Sequence, residues 1–209
     1  MKLYFSPMTC SLAARITLCE ADLDSGVEFV RVDRINKTLV DGSSYLEISP
    51  KGAVVALVTD DGQLLTENAA VLQYLADLAP ETGLAPAAGT FERYQLQEWL
   101  SFIGTELHKH IFYNIFNPIS PEAIRDFART QAGPRRFDYL DQHLNQRKFL
   151  VGDKFTVADS YLITVLNWVE RAGLSLKAWP AVAAYRKLHN KRPGVLRATE
   201  TEMAMLEPA

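Results

Sequence analysis

The order of periodicities along this chain predicts an α/β domain followed by an all-α domain. Three observations carry that reading. Strand and helix signals alternate over roughly the first eighty residues. The segment Pro80 to Gly89, rich in Pro, Ala and Gly, then interrupts them as a linker. Beyond it only helical periodicity recurs. The boundaries that follow are 1–79 for the first domain, 80–89 for the linker and 90–209 for the helical domain.

The elements follow in order. Lys2 to Phe5 reads as a strand, Ser11 to Glu20 as a helix, and Glu28 to Val32 as a second strand. A polar connection, Asp33 to Ser44, leads to a short helical piece at Tyr45 to Ile48, which stops at the turn signal Ser49-Pro50-Lys51-Gly52. Val54 to Val58 is the third strand, and Asp60-Asp61-Gly62 turns the chain into a fourth, Gln63 to Leu65. Thr66-Glu67-Asn68 opens a helix to about Leu78, with Thr66 at the N-cap and Glu67 suited to the positive end. The order is βαβ, a connection, then ββα. After the linker, helices are predicted over Thr90 to His110, Pro121 to Leu144, Val157 to Glu170 and Pro180 to Lys191. Thr156-Val157-Ala158-Asp159 reads as a capping box with Asp at its third helical position.

Composition excludes several classes. The 209 residues suffice for two cores, and the hydrophobic share of 48% is that of an ordinary globular chain. A formal net charge of -3 gives no electrostatic reason to expect nucleic acid or an anionic membrane as partner. No apolar run approaches a bilayer-spanning length, and Met1-Lys2-Leu3-Tyr4 enters a strand instead of a signal peptide's apolar core. Cys10 and Cys19, the two cysteines, fall on one predicted helix about two and a half turns apart, so they cannot pair. That usage fits a reducing cytoplasm. The four histidines have no thiol or carboxylate neighbours at ligand spacing, so no metal is expected.

Cys10 is the residue with the most chemistry in it. A thiol in the first turn of a helix lies among unpaired backbone N–H groups at the positive end of the dipole, both of which favour thiolate. The alternative is a small buried hydrophobe, the role of most lone cysteines and the one assigned to Cys19.

Six segments in register resemble the cytosolic glutathione transferase family, nearest its bacterial beta class, which carries a cysteine at the first helix. They are Leu3-Tyr4-Phe5-Ser6-Pro7 with Cys10-Ser11-Leu12-Ala13, Ile48-Ser49-Pro50-Lys51-Gly52, Leu64-Leu65-Thr66-Glu67, Gln73-Tyr74-Leu75-Ala76-Asp77, Glu106-Leu107-His108-Lys109 and Phe155-Thr156-Val157-Ala158-Asp159. Together they cover nearly the whole chain. The resemblance implies a thioredoxin-like first domain, glutathione as co-substrate, no metal, and a cytoplasmic homodimer in detoxifying conjugation.

It also implies roles. Glu67 would pair with the γ-glutamyl ammonium, while Asn68 and the helix N-terminus take the carboxylate; the family usually has Ser or Gly where Asn68 stands. Lys37 and Lys51 are the cations available for the glycine carboxylate, and the family's pattern favours Lys37. The backbone of Val54 would meet the cysteinyl part. Cys10 would contact the glutathione sulfur and could form a mixed disulfide with it, while Ser11 could donate a hydrogen bond to the thiolate and lower its pKa. From the helical domain, Ser101, Gly104, Thr105, His108 and Phe112 recur at three- and four-residue steps and so line one helical face. His108-Lys109 matches the family's pair, with the histidine reaching the thiol region; Ser101 and Lys109 join the glutathione residues. Thr105, Phe112, Tyr113, Phe116 and Trp168 would line a pocket for the second substrate, although the default for such aromatics is core packing.

One position departs from the family. Pro50-Lys51-Gly52-Ala53-Val54-Val55-Ala56-Leu57 has Val55 where the family has a cis-proline. A non-proline cis bond costs about 2.5–4 kcal/mol, and two backbone hydrogen bonds to a ligand return roughly 1–3 kcal/mol. That comparison predicts a trans Val54–Val55 bond and weakened glutathione affinity. Three functions remain: a transferase conjugating glutathione to small hydrophobic electrophiles, a glutathione-dependent thiol–disulfide reductase using Cys10 as nucleophile, and a non-catalytic binding member.

Overall fold

In the computed structural model, which describes residues 1–206, the alternating half of the chain forms a five-stranded mixed sheet. Strand β1 (Lys2–Phe5) runs parallel to β2 (Glu28–Asp33), with Leu3 opposite Phe29. The crossover that makes this pair parallel is α1 (Leu12–Glu20). The polar connection after β2 contains β3 (Thr38–Leu39), antiparallel to β2. On its other side β1 pairs antiparallel with β4 (Ala56–Val58), where Leu3 lies opposite Leu57. β5 (Leu64–Thr66) closes a hairpin on β4 and hands over to α2 (Asn68–Asp77). The sheet order is therefore β3-β2-β1-β4-β5.

Alternation along β1 builds two apolar layers. Tyr4 packs with Val32, Tyr45 and Ala56 on one face, while Leu3 and Phe5 join Leu12, Ile16, Leu57, Leu72 and Leu75 among the fully buried side chains. The expected strands are all present, with three local corrections. β3, only two residues long, adds a fifth strand where a connection was expected. The strand expected from Val54 begins at Ala56, because the chain bends at Val54. Thr66 is not a helix cap but the last strand residue, paired with Ala56; Glu67 occupies the cap position instead.

The domain boundary at the C-terminus also needs correction. The chain from Pro193 onward, assigned above to the helical domain, groups with Met1–Leu84. Its helix, α9 (Pro193–Ala204), packs on α1, where Arg15 meets Glu202 at 3.0 Å and Arg197 donates to the Cys19 carbonyl at 2.8 Å. A helical period identifies a helix but not the surface that receives it.

The second unit, Ala85–Arg192, is helical among its described elements. α3 (Phe91–Phe102) is capped by Thr90, whose hydroxyl accepts from the Arg93 N–H, and continues as a π-helical stretch, Ile103–Tyr113, into α4 (Asn114–Phe116). α5 (Glu122–Phe127), a second π-helical turn at Ala128–Ala132 and α6 (Gly133–Leu144) form one continuous rod. α7 (Val157–Leu166) is buried at every residue, and α8 (Pro180–His189) packs against both α6 and α7. A helix apolar on all sides belongs at the centre of its unit. The expected capping box starts it, with Thr156 and Asp159 exchanging hydrogen bonds.

Candidate functional site

The turn between β1 and α1 is built around its own side chains. The Ser11 hydroxyl accepts from the Ser6 N–H at 3.2 Å and lies 3.2 Å from the Ser6 carbonyl and 3.0 Å from the Thr9 hydroxyl. Ser11 is fully buried and its oxygen is used within the loop. These bonds close the turn around Ser11. Cys10 lies just before the helix, which starts at Leu12, and its thiol donates to the Val54 carbonyl at 3.3 Å.

The Val54–Val55 peptide bond is cis, not trans as predicted. Contacts within the protein surround this bond, in addition to any that a ligand would add. Tyr45 Oη donates to the Ala53 carbonyl at 2.9 Å, Cys10 holds the Val54 carbonyl, Val55 is buried, and Ala56 is paired on both sides within the sheet.

Four further residues collect on the same unit. Lys37 Nζ donates to the Gly52 carbonyl at 2.7 Å, which ties it to the turn before Val54. Lys51 Nζ pairs with Glu67 Oε1 at 2.6 Å, both side chains being more than half exposed. An exposed pair of this kind is worth about 0–1 kcal/mol, so a zwitterionic ligand can open it at little cost and engage each partner with its own opposite charge. Asn68, at the start of α2, is buried, and neither its Oδ1 nor its Nδ2 has a hydrogen-bond partner among the described residues. Two orphaned polar atoms at a helix N-terminus call for a polar ligand group. Of the five described non-glycine residues with positive φ, Met8 (58°), Lys37 (58°) and Glu67 (72°) lie in or beside this constellation. Such conformations concentrate at functional sites.

The second unit gathers the remaining residues. His108 Nδ1 lies 2.7 Å from Tyr161 Oη, and its ring meets Trp168 edge to face at 5.2 Å. Phe112 and Phe116 pack on the same indole at 5.6 and 6.2 Å. Burial, reinforced by the neighbouring Lys109 charge, pushes the His108 pKa down to about 4, so the imidazole is neutral at pH 7. Lys109 Nζ lies over the half-exposed Tyr113 ring at 5.0 Å.

The face expected from α-helical spacing does not stay whole. From Ile103 the backbone bonds span five residues, and three- and four-residue steps no longer repeat one direction. Ser101 and Thr105 are exposed, with the Thr105 hydroxyl donating to the Ser101 carbonyl at 3.0 Å, whereas Phe112 is fully buried. Phe112 therefore backs Trp168 from the core instead of lining a surface. Tyr161 was missed by sequence reasoning, as were Met8 and Glu202, which bond to each other at 2.7 Å. A tyrosine on an apolar helix and a glutamate near the C-terminus carry no local signal of such partners.

Comparison with known proteins shows the family and the fold. Residues 106–193 match the family model described as "Glutathione S-transferase, C-terminal domain". The chain is similar to glutathione S-transferase GstA of Escherichia coli O157:H7, at 40% identity over 97% of this chain and 98% of the relative. Among solved structures it is similar to the bacterial beta class glutathione S-transferase of Sphingomonas chungbukensis, at 39% identity and a TM-score of 0.91, covering 97% and 98% of the two chains. A sphingomonad glutathione S-transferase complexed with glutathione aligns with the same TM-score of 0.91 at 40% identity, also over 97% and 98%. Among the described residues no helix is long and apolar enough to cross a membrane, and no group of His, Cys, Asp and Glu could hold a metal.

Proposed function

The chain belongs to the glutathione S-transferase family, and from that premise we propose that it conjugates glutathione to small hydrophobic electrophiles, as a cytoplasmic homodimer. The observation that carries this reading is the meeting of the Cys10 thiol with the Val54 carbonyl beside the cis bond, at 3.3 Å, on the unit that also carries Lys51, Glu67 and Asn68.

In this reading Glu67 leaves Lys51 to take the ammonium of glutathione. Asn68 and the α2 N-terminus take the adjacent carboxylate, and Lys37 or Lys51 takes the glycine end. The peptide edge at Val54 receives the cysteinyl backbone, which brings the ligand sulfur to Cys10. The glutathione thiol gives its proton to solvent, its thiolate attacks the electrophilic carbon, a C–S bond forms, and the leaving group departs with its electron pair. Neutral His108 with Trp168, Phe116, Tyr113 and Thr105 supplies the surface for the electrophile.

The test pairs two assays on one preparation. Conjugation of a chlorodinitrobenzene is expected, with glutathione binding measured by calorimetry. Cys10→Ala should abolish turnover of a hydroxyethyl mixed disulfide while leaving part of the conjugation. No heat of glutathione binding at millimolar ligand would overturn the reading in favour of a non-catalytic scaffold. Disulfide turnover without conjugation would favour the reductase.

A further inference from the structure

Glu202 is fully buried on α9, yet both of its carboxylate oxygens are occupied by groups near the start of the chain. Oε1 accepts from Arg15 Nε at 3.0 Å, and Oε2 accepts from the Met8 N–H at 2.7 Å. Arg15 is itself buried, its guanidinium 3.6 Å over the Phe29 ring and 4.7 Å from that of Phe5. A carboxylate buried without such partners would be prohibitively costly, so the three groups form a unit. Met8 lies two residues before Cys10 and holds a φ of 58°, a conformation that non-glycine residues adopt reluctantly.

The Ser6–Ser11 side-chain bonds give the loop its shape. The bond to Glu202 ties that shape to α9 at the far end of the chain, and Cys10 presents its thiol to Val54 from it. We propose that Glu202, through its hydrogen bond to the Met8 N–H, is a positioning residue that holds the Cys10 loop closed on Val54. The function of this device rests on the reading of Cys10 as the thiol that meets glutathione.

Iodoacetamide alkylation of the two cysteines, followed peptide by peptide by mass spectrometry, tests it. Both thiols are buried in this unit, so a general loss of stability speeds both, whereas loosening of the loop speeds Cys10 alone. Two doubly neutral variants are compared. Arg15→Met with Glu202→Gln keeps an oxygen for the Met8 N–H; Arg15→Met with Glu202→Met does not. The second is expected to speed Cys10 alkylation about tenfold over the first, the weight of one hydrogen bond to a buried donor, with Cys19 unchanged. Equal Cys10 rates in the two variants, or acceleration of both thiols together, overturn the proposal and leave Glu202 a packing residue.

If the doubles do not fold, Glu202→Asp shortens the reach while keeping the charge. It should raise hydrogen exchange at the Met8 amide and Cys10 alkylation together, with Cys19 steady; a rise in one without the other overturns the proposal. Neither readout uses glutathione, so failure of the transferase reading is seen separately.

Discussion

Replacing Asp159 by Ala removes the acceptor on which the start of α7 depends. Its Oδ1 accepts from the Leu150 N–H at 2.9 Å and from Tyr185 Oη at 2.7 Å. Its Oδ2 accepts from the Thr156 N–H and hydroxyl, both at 2.8 Å. The carboxyl is fully buried, and burial pushes its pKa up against the pull of those four bonds. Alanine orphans two backbone N–H groups and the Tyr185 hydroxyl, at about 1–3 kcal/mol each. Relief of the carboxylate's own desolvation offsets part of this, so the expected loss is about 4 kcal/mol, near the upper end for single substitutions. The substitution Asp159→Asn keeps one oxygen and should lose about half as much. Trp99, Trp168 and Trp179, the three tryptophans, all lie in the second unit, so intrinsic fluorescence in a urea titration reports that unit. At a urea slope of about 2.5 kcal/mol/M the Ala variant's midpoint falls by about 1.6 M. A loss under about 1 kcal/mol, or equal losses for Ala and Asn, would refute the account of α7 as held by four donors on one carboxylate.

Three further outcomes are expected. The folded His108 titrates at about 4 and the unfolded chain at 6.5, so on acidification the unfolded chain binds its proton first and stability is lost from pH 6.5 downward. The loss attributable to this residue is about 2 kcal/mol at pH 4.5; urea titrations at pH 7 and 4.5 should show a correspondingly smaller drop in His108→Gln, and an equal drop would contradict the burial argument. Lys51→Ala should leave the melting temperature unchanged, because its partner Glu67 is exposed, but raise the KM for glutathione about fivefold in initial-rate assays; an unchanged KM removes Lys51 from the binding residues. Gly133→Ala puts a Cβ 2.9 Å from the Ala128 carbonyl oxygen, a backbone atom that cannot swing aside, and should cost about 1–3 kcal/mol in the same urea assay.

The local layers of this structure were readable from residue order, and the tertiary ones were not. β1, β2 and the β4–β5 hairpin announce themselves through short apolar runs and the Asp60-Asp61-Gly62 turn, and the Thr156–Asp159 box marks the start of α7. β3 escaped because two residues cannot display an alternation. The stripe around His108 assumes α-helical spacing, and nothing in Ile103–Tyr113 advertises a π-helical backbone. The resemblance supplied the names Lys51, Glu67 and Asn68 but not the Lys51–Glu67 contact or the orphaned amide of Asn68. The trans prediction at Val54 failed for the same reason. Local energetics were complete only once Tyr45, Cys10 and the flanking sheet were in place.

Because α9 completes the first unit while Ala85–Arg192 intervenes, the two units become whole in the reverse of their order in the chain. During synthesis the sheet waits for its closing helix until the whole helical stretch Ala85–Arg192 has been made. At ordinary synthesis rates the stretch from Leu84 to Glu202 takes on the order of 10 s, during which Arg15 has no counter-ion from α9. A nascent chain stalled before Glu202 would therefore carry an unsealed beginning.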